Sequence, residues 1–399
     1  MPQVRRRAVF FIGGYERKSH TSFFARLTKQ VGLSAHTWQT TFSSGDISYL
    51  DDQSIAVGEY TMTGPDGARC DTRFHLLDLD DWVQADNARG AAARITHYLR
   101  SFSDYIVSGT AARFFTANWR FALYFLYPFA TLIGSVLAGI FVTRLLGRAE
   151  FPGAIWVALF AGLASGFAVF RYLAARFFAL HLMDLWSFSA DYIRRRRAHV
   201  HKRTTTWGAC VADCVASKAY DEVLLIGHST GGAIILDVAA KATKQLEERG
   251  GAHPGFTIAT IGSTSLKIGM HPAARWYADD IAHMEKSAGV RWFEYQALTD
   301  IINFYRCDPF EKMGLDAGRV EPFPDCQLVR FKHMLSADYY RRIKRNFLRV
   351  HYQFISGNTK PYFYDFAMIC FGAMRLEDRF SFRYTACGMT DAQQEAPPE

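Results

Sequence analysis

No cysteine pair in this chain has the spacing of a metal site. The seven cysteines, Cys70, Cys210, Cys214, Cys307, Cys326, Cys370 and Cys387, are scattered over 399 residues, and none forms a C-x-x-C pair. Cys210 and Cys214 stand one helical turn apart without a second ligand pair nearby, which argues against zinc. The expectation is reduced, buried thiols in a domain facing a reducing compartment, with no metal and no other cofactor. Zinc-finger spacing and RNA-binding signatures are also missing. The formal charge of +8 therefore suggests anionic lipid rather than nucleic acid as a partner. After Met1 to Arg7 only seven apolar or glycine residues follow before Tyr15, too few for a signal-peptide core, and a strand fits them better. No internal repeat is found. The length suits one large domain with an insertion, or two modest ones.

Charge is missing from two long stretches. Phe121 to Thr143 holds 23 residues without a charge, and Phe151 to Phe170 holds 20. Each is long enough, as a helix, to span about 30 Å of hydrocarbon. Trp119, Tyr124, Tyr127 and Trp156 stand near the expected interfaces. The short linker between the stretches makes them a hairpin, a unit expected over 113–183. Arg113 and Arg120 precede it, and Arg171, Arg176, the run Arg194 to Arg197, Lys202 and Arg203 follow it. The linker carries only Arg144 and Arg148, so the positive-inside bias puts both flanks, and the globular part, in the cytoplasm. The Arg194 to Arg197 run, as part of a helix, is expected to meet anionic head groups. Gly162 and Gly166 form a small-xxx-small step, which could serve packing within the hairpin or a homo-oligomer.

Elsewhere the pattern alternates. Strands are expected at Arg7 to Ile12, His36 to Phe42, Ser54 to Thr61 and Thr72 to Leu77, with a turn at Gly64 to Gly67. Thr21 to Val31 reads as a helix, as do Asp86 to Thr110 and Leu185 to Ala219. Further strands are expected at Glu222 to Ile226, Phe256 to Ile261, Val290 to Gln296 and Gln327 to Phe331. Helices at Gly231 to Glu248, His271 to Ser287 and Met334 to Ile355 intervene or follow. This order means an α/β fold, a mostly parallel sheet with helices on both faces. Residues 1–112 and 184–389 would form it in two parts, and 390–399 would be a disordered tail.

The densest motif is Gly227-His228-Ser229-Thr230-Gly231, between the apolar strand Val223 to Ile226 and the Ala/Ile-rich start of a helix. A G-x-S-x-G turn between strand and helix is what a nucleophile elbow requires, because a strained serine needs small neighbours. The helix that follows aims its first amides at the site, where they favour a developing oxyanion.

On these residues the chain resembles the α/β-hydrolase superfamily, in its lipase and esterase branch. The resemblance covers Arg7 to about Lys29 and Glu222 to about Gln353. It implies a triad in the order serine, acid, histidine, with Ser229 as nucleophile. The acid would follow the strand after next. Asp300 has that position, with Asp308 as the alternative; Glu294 lies within the strand and is excluded. The histidine would follow the last strand, where His333 stands; His351, in the helix beyond, is the alternative and reads as a surface or interface histidine. His228 would point away from Ser229. The oxyanion hole would use the Thr230 amide and the loop Gly13-Gly14-Tyr15, hence Gly14 and Tyr15. Two departures from the family stand out. The first strand here corresponds to the family's third, and the segment from Ser34 to Leu77 with the hairpin replaces the usual helix-strand-helix run.

The resulting expectation is a two-span membrane protein that hydrolyses carboxylic esters through an acyl-enzyme, acting on an apolar ester or lipid beside the bilayer. Acyl transfer or thioester cleavage by the same triad, and a non-catalytic membrane scaffold, are the other readings. The spans lack the intramembrane charges of an ion path.

Overall fold

β1 (Arg6–Ile12) is buried at six of its seven positions. A continuous apolar run buried on both faces is what an interior parallel strand needs. The computed structural model describes residues 3–50, 54–250, 253–319, 321–385 and 388–391. Around β1 it places β2 (Thr41–Leu50), β3 (Ile55–Thr63), β4 (Arg69–Leu77), β5 (Glu222–His228), β6 (Phe256–Ile261), β7 (Val290–Ala297) and β8 (Asp325–Val329). The order across the sheet is β2-β3-β4-β1-β5-β6-β7-β8. From β4 to β8 every pairing is parallel, while β3 runs antiparallel to both β2 and β4. β3 is thus the one reversed strand of the eight.

Two chain segments form compact units. Residues up to Val83 and from Ile193 onward make one; Gln84–Tyr192 makes the other. In the first, alternate side chains of the strands (Val9, Phe11, Phe74, Leu224, Ile226, Tyr295) join Phe23, Phe24 and Phe366 in one apolar cluster on one face. The helix Thr230–Arg249 packs against β1, β5 and β6, and Tyr277 of the helix Arg275–Glu285 donates to its Ala233 carbonyl at 3.0 Å. Arg7 and Glu222, both buried, pair at 2.6 Å between β1 and β5. Arg7 also donates to the Met374 carbonyl at 2.8 Å, tying the C-terminal segment to the sheet.

Several boundaries differ from the sequence reading, each for a local reason. The first helix runs over His20–Trp38, so His36 to Trp38 are helical and β2 begins at Thr41. Leu185 to Ala219 is not one helix. Ala179–Ile193 and Ala198–Ala216 are separated by the arginine run, where Arg195 has φ +52° and its guanidinium lies 4.1 Å from the centre of the Trp276 ring. The run is therefore a turn and not a helix face. Asp86 to Thr110 is likewise divided among Asp80–Asn87, Ala91–Val107 and Thr110–Ala117. The segment after β8 breaks into Phe331–Met334, Ala337–Ile343 and Phe347–Tyr352, the last two capped by Ser336 and Asn346. Thr390 and Asp391, at the start of the expected tail, lie in a short strand (β10, Gly388–Asp391) paired with β9 (Phe382–Thr385); 392–399 fall outside the described residues.

The second unit contains two helices long and apolar enough to cross a membrane, Trp119–Leu146 and Ala154–Phe177. At 1.5 Å per residue their 28 and 24 residues reach about 42 and 36 Å. They pack through small residues. A Cβ added at Gly139 would lie 2.8 Å from the Gly162 carbonyl oxygen, and one at Gly166 would lie 3.0 Å from that of Ser135. The small-xxx-small step is thus used inside the hairpin. The unit is larger than the expected 113–183, because Phe102 of Ala91–Val107 stacks on Phe125 and Phe129, and Trp186 of Ala179–Ile193 packs on Phe125 and Tyr105.

Candidate active site

Ser229 sits between β5 and the helix Thr230–Arg249 with φ +58° and ψ −123°. A non-glycine residue held there costs roughly 1–3 kcal/mol, so the surrounding structure must impose it. The restraints are visible. The Ser229 amide donates to the Ile261 carbonyl at the end of β6 (3.2 Å), and the Ser229 carbonyl accepts from the amides of Gly232 (3.0 Å) and Thr264 (3.1 Å). The two flanking glycines have steric reasons. A Cβ at Gly227 would lie 2.5 Å from the Gly231 carbonyl oxygen and 2.5 Å from Ile235 Cγ2, and one at Gly231 would collide with the carbonyls of Ile12 and Gly13. The spacing of the motif is therefore set by the helix crossing close over the ends of β5 and β1.

Gly14 follows β1 and lies against the serine: a Cβ there would be 3.4 Å from Ser229 Cβ and 3.7 Å from its Oγ. The loop expected to supply a second oxyanion donor is thus adjacent to Ser229. Tyr15, next in the loop, is buried. Thr230 opens the helix, whose first-turn amides have no partners within it.

Asp300 follows β7 and is 1% exposed. Its Oδ1 accepts from the Ile302 amide at 2.9 Å, and its Oδ2 lies 2.7 Å from Nδ1 of His351. The turn-capping and histidine-binding roles coexist. The histidine brought to Asp300 is therefore His351 and not His333. His333 lies in the four-residue helix Phe331–Met334 and is largely exposed; partial desolvation and the neighbouring cations Arg330, Lys332 and Lys360 lower its pKa. His351 is 4% exposed, and a Cβ on Gly262, which follows β6, would be 3.4 Å from its Cε1. Among the described residues its Nε2 has no hydrogen-bond partner, so it makes no hydrogen bond to Ser229 Oγ. Sequence reasoning ranks His351 second to His333 and reads it as a surface or interface histidine, within one continuous helix expected over Met334 to Ile355. A usable signal was present: Val350, His351, Phe354 and Ile355 share one inward face by their i, i+4 spacing, and all are buried.

Asp308, the alternative acid, is engaged elsewhere. It caps Pro309–Lys312 through the Phe310 and Glu311 amides, and its Oδ2 pairs with Arg319 at 2.7 Å. Glu294 is buried in β7, where it hydrogen-bonds Thr260, and burial raises its carboxyl to about 8.

Two groups beside Ser229 were not expected to matter. The His228 ring packs on the His351 ring at 4.5 Å between centres, and its Nε2 lies 3.2 Å from the His351 carbonyl oxygen. Burial first, then the charge of His351, holds its pKa well below the usual histidine value, so it stays neutral. Lys267 is fully buried and donates to Thr230 Oγ1 at 3.1 Å; burial lowers its pKa to about 7.

A cavity of about 20 Å³ borders Gly13, Gly14, Glu16 and Phe23. A larger one, about 540 Å³, opens at the amino ends of β1 and β4 beside Arg6, Asp71 and Tyr220; no candidate residue lines it. Among the described residues no three His, Cys, Asp or Glu side chains converge as a metal site would require. The six described cysteines form no disulfide with one another; Cys387 lies outside the described residues. Comparison of the chain with protein-family models, with curated proteins and with solved structures finds no match.

Proposed function

We propose that this chain is a membrane-anchored serine hydrolase of the α/β-hydrolase type, which cleaves carboxylic esters through an acyl-enzyme on Ser229. One observation supports the reading: a strained serine after β5 and a buried Asp300–His351 pair, whose imidazole ring packs on that of His228 next to the serine, come from separate segments of the chain.

His351 Nε2 takes the Ser229 Oγ proton as Oγ attacks the ester carbonyl. Asp300 orients the imidazole through Nδ1 and stabilises its charged form. The tetrahedral oxyanion is met by the Thr230 amide and by the Gly14–Tyr15 backbone, in place of the water it would otherwise need. The protonated His351 then gives its proton to the leaving alcohol. Water, deprotonated by the same histidine, releases the acid from the acyl-enzyme and restores Ser229.

The anchor is the helix pair. Phe160 and Leu163 are 75% and 76% exposed, whereas a helix pair in a soluble core would bury such side chains. The excess of arginine outside the hairpin favours a cytoplasmic catalytic unit. A chain held at a bilayer meets apolar esters there at high local concentration, which favours an acyl-lipid substrate. The test is labelling of the detergent-solubilised protein by a fluorophosphonate probe. Labelling lost in Ser229→Ala supports the reading, and an unlabelled, well-folded protein sinks it. A preference for short, soluble esters over long-chain ones would contradict the lipid substrate.

A further inference from the structure

Between Arg330 and Arg349 the sequence holds seven lysine or arginine residues and a single acid, Asp338. All seven basic side chains are exposed. Among the described residues, Asp338 is the one carboxylate within ion-pair distance of any of them, and it holds Arg341. Arg342 lies over the ring of its own neighbour Tyr339, 5.7 Å from the centre. Lys344, Arg345 and Arg349 follow within one short stretch. A concentration of like charge left unneutralised repels itself and weakens the fold, so it signals an anionic partner. Aromatic and apolar side chains are interleaved with it: Tyr339, Tyr340, Phe347 and Leu348 are half-buried. Cations beside amphipathic aromatics are the side-chain set of a membrane interface.

We propose that the Arg330–Arg349 segment is a docking surface for an anionic phospholipid bilayer. A membrane is favoured over nucleic acid because the same chain carries two helices long and apolar enough to span one, so the surface is tethered to its partner. The segment leads directly into Val350-His351, so the docked strip is continuous with the histidine paired to Asp300. The docking itself does not rest on the hydrolase reading and holds equally for an inactive protein.

Each lysine or arginine near an anionic surface contributes about 1 kcal/mol, roughly a fivefold gain in docking. The experiment uses the full chain in lipid nanodiscs and follows amide hydrogen exchange of 337–349. Exchange there is expected to slow in discs containing phosphatidylserine relative to discs of phosphatidylcholine alone, and to recover in 0.5 M salt, chosen because it screens at about one Debye length of a few Å. The combined variant Arg342→Gln, Lys344→Gln, Arg345→Gln and Arg349→Gln should lose the difference. Its arginine-to-lysine counterpart should keep it, with unchanged exchange in β5 showing that both remain folded. Equal exchange in the two lipids, or protection that persists in the glutamine variant, overturns the proposal. Protection by a short RNA in neutral discs, with none from phosphatidylserine, assigns the surface to nucleic acid and also overturns it.

Discussion

Asp300 Oδ2 lies 2.7 Å from His351 Nδ1, across 51 positions of sequence. Both residues are buried, at 1% and 4% exposure. A carboxylate at this distance fixes which imidazole nitrogen carries the proton and leaves Nε2 as the acceptor. The pair therefore selects His351 over His333, the histidine that chain order favours because it stands directly after β8.

His351→Ala should lower ester turnover at least about 10³-fold, and Asp300→Asn by about 10⁴-fold, with little change in KM. His333→Ala should stay within about twofold of the wild type. Steady-state kinetics of the three proteins decide the matter; a loss in His333→Ala equal to that in His351→Ala would return the role to His333.

Ser229 adds a test in stability. Ser229→Ala keeps the unfavourable φ of +58° and should leave the melting temperature nearly unchanged while removing probe labelling. Ser229→Gly relieves a backbone cost of roughly 1–3 kcal/mol, offset in part by glycine's greater entropy when unfolded. It should be inactive yet melt higher than Ser229→Ala. A lower melting temperature for the glycine variant would show that the position is not strained.

Gly227→Ala should be far more damaging than an ordinary glycine-to-alanine change. Its Cβ would meet backbone and Ile235 at 2.5 Å, and backbone cannot step aside as a flexible side chain can. A loss of about 3 kcal/mol or more, or failure to accumulate, is expected in denaturant titration. Near-wild-type stability would mean that the helix does not cross β5 so closely.

Glu294 gives a pH dependence with a definite sign. Burial keeps it protonated up to about 8 in the folded state, while the unfolded chain releases the proton near 4.5. Its favourable contribution is complete below pH 4.5 and is lost as pH rises toward 8. Glu294→Gln, which cannot titrate, should gain on the wild type between pH 5 and pH 8, by an amount on the order of a few kcal/mol. Denaturation midpoints at the two pH values measure this; parallel changes in both proteins would exclude the buried, protonated carboxyl.

The hairpin is tested at Gly162. A Cβ there would meet the Gly139 carbonyl oxygen at 2.7 Å and the Thr143 side chain more closely still. Gly162→Leu should separate the two helices and lower the melting temperature in detergent, whereas Leu163→Ala, at an exposed position, should change it little. Equal effects would mean that the glycine face is not the contact.

Legibility in the sequence tracked the distance over which each feature is decided. The elbow at Gly227 to Gly231 was readable because strand, turn and helix are contiguous and each has its own local signal. The apolar spans were readable for the same reason, since length and absence of charge are properties of one segment. Asp300 was placed by its position just past a strand. His351 was not, because Ser336 and Asn346 cap new helices in what looked like one continuous helix, and the resulting turns decide which histidine faces the sheet. The arginine run is decided in the same way: Arg195 turns the chain at positive φ, with its guanidinium over the Trp276 ring from a distant segment.

By itself, then, the sequence determined the alternation of strands and helices, the two apolar stretches, and the serine turn, all of which follow from patterns a few residues long. Only the tertiary structure decided that β2 to β4 complete the sheet beside β1, that the glycine step packs within the hairpin, and that Asp300 meets His351. These depend on contacts between segments tens to hundreds of residues apart. Their geometry is set by how close two backbones can come and which side chains are turned inward when they do, and periodicity along the chain carries no record of either.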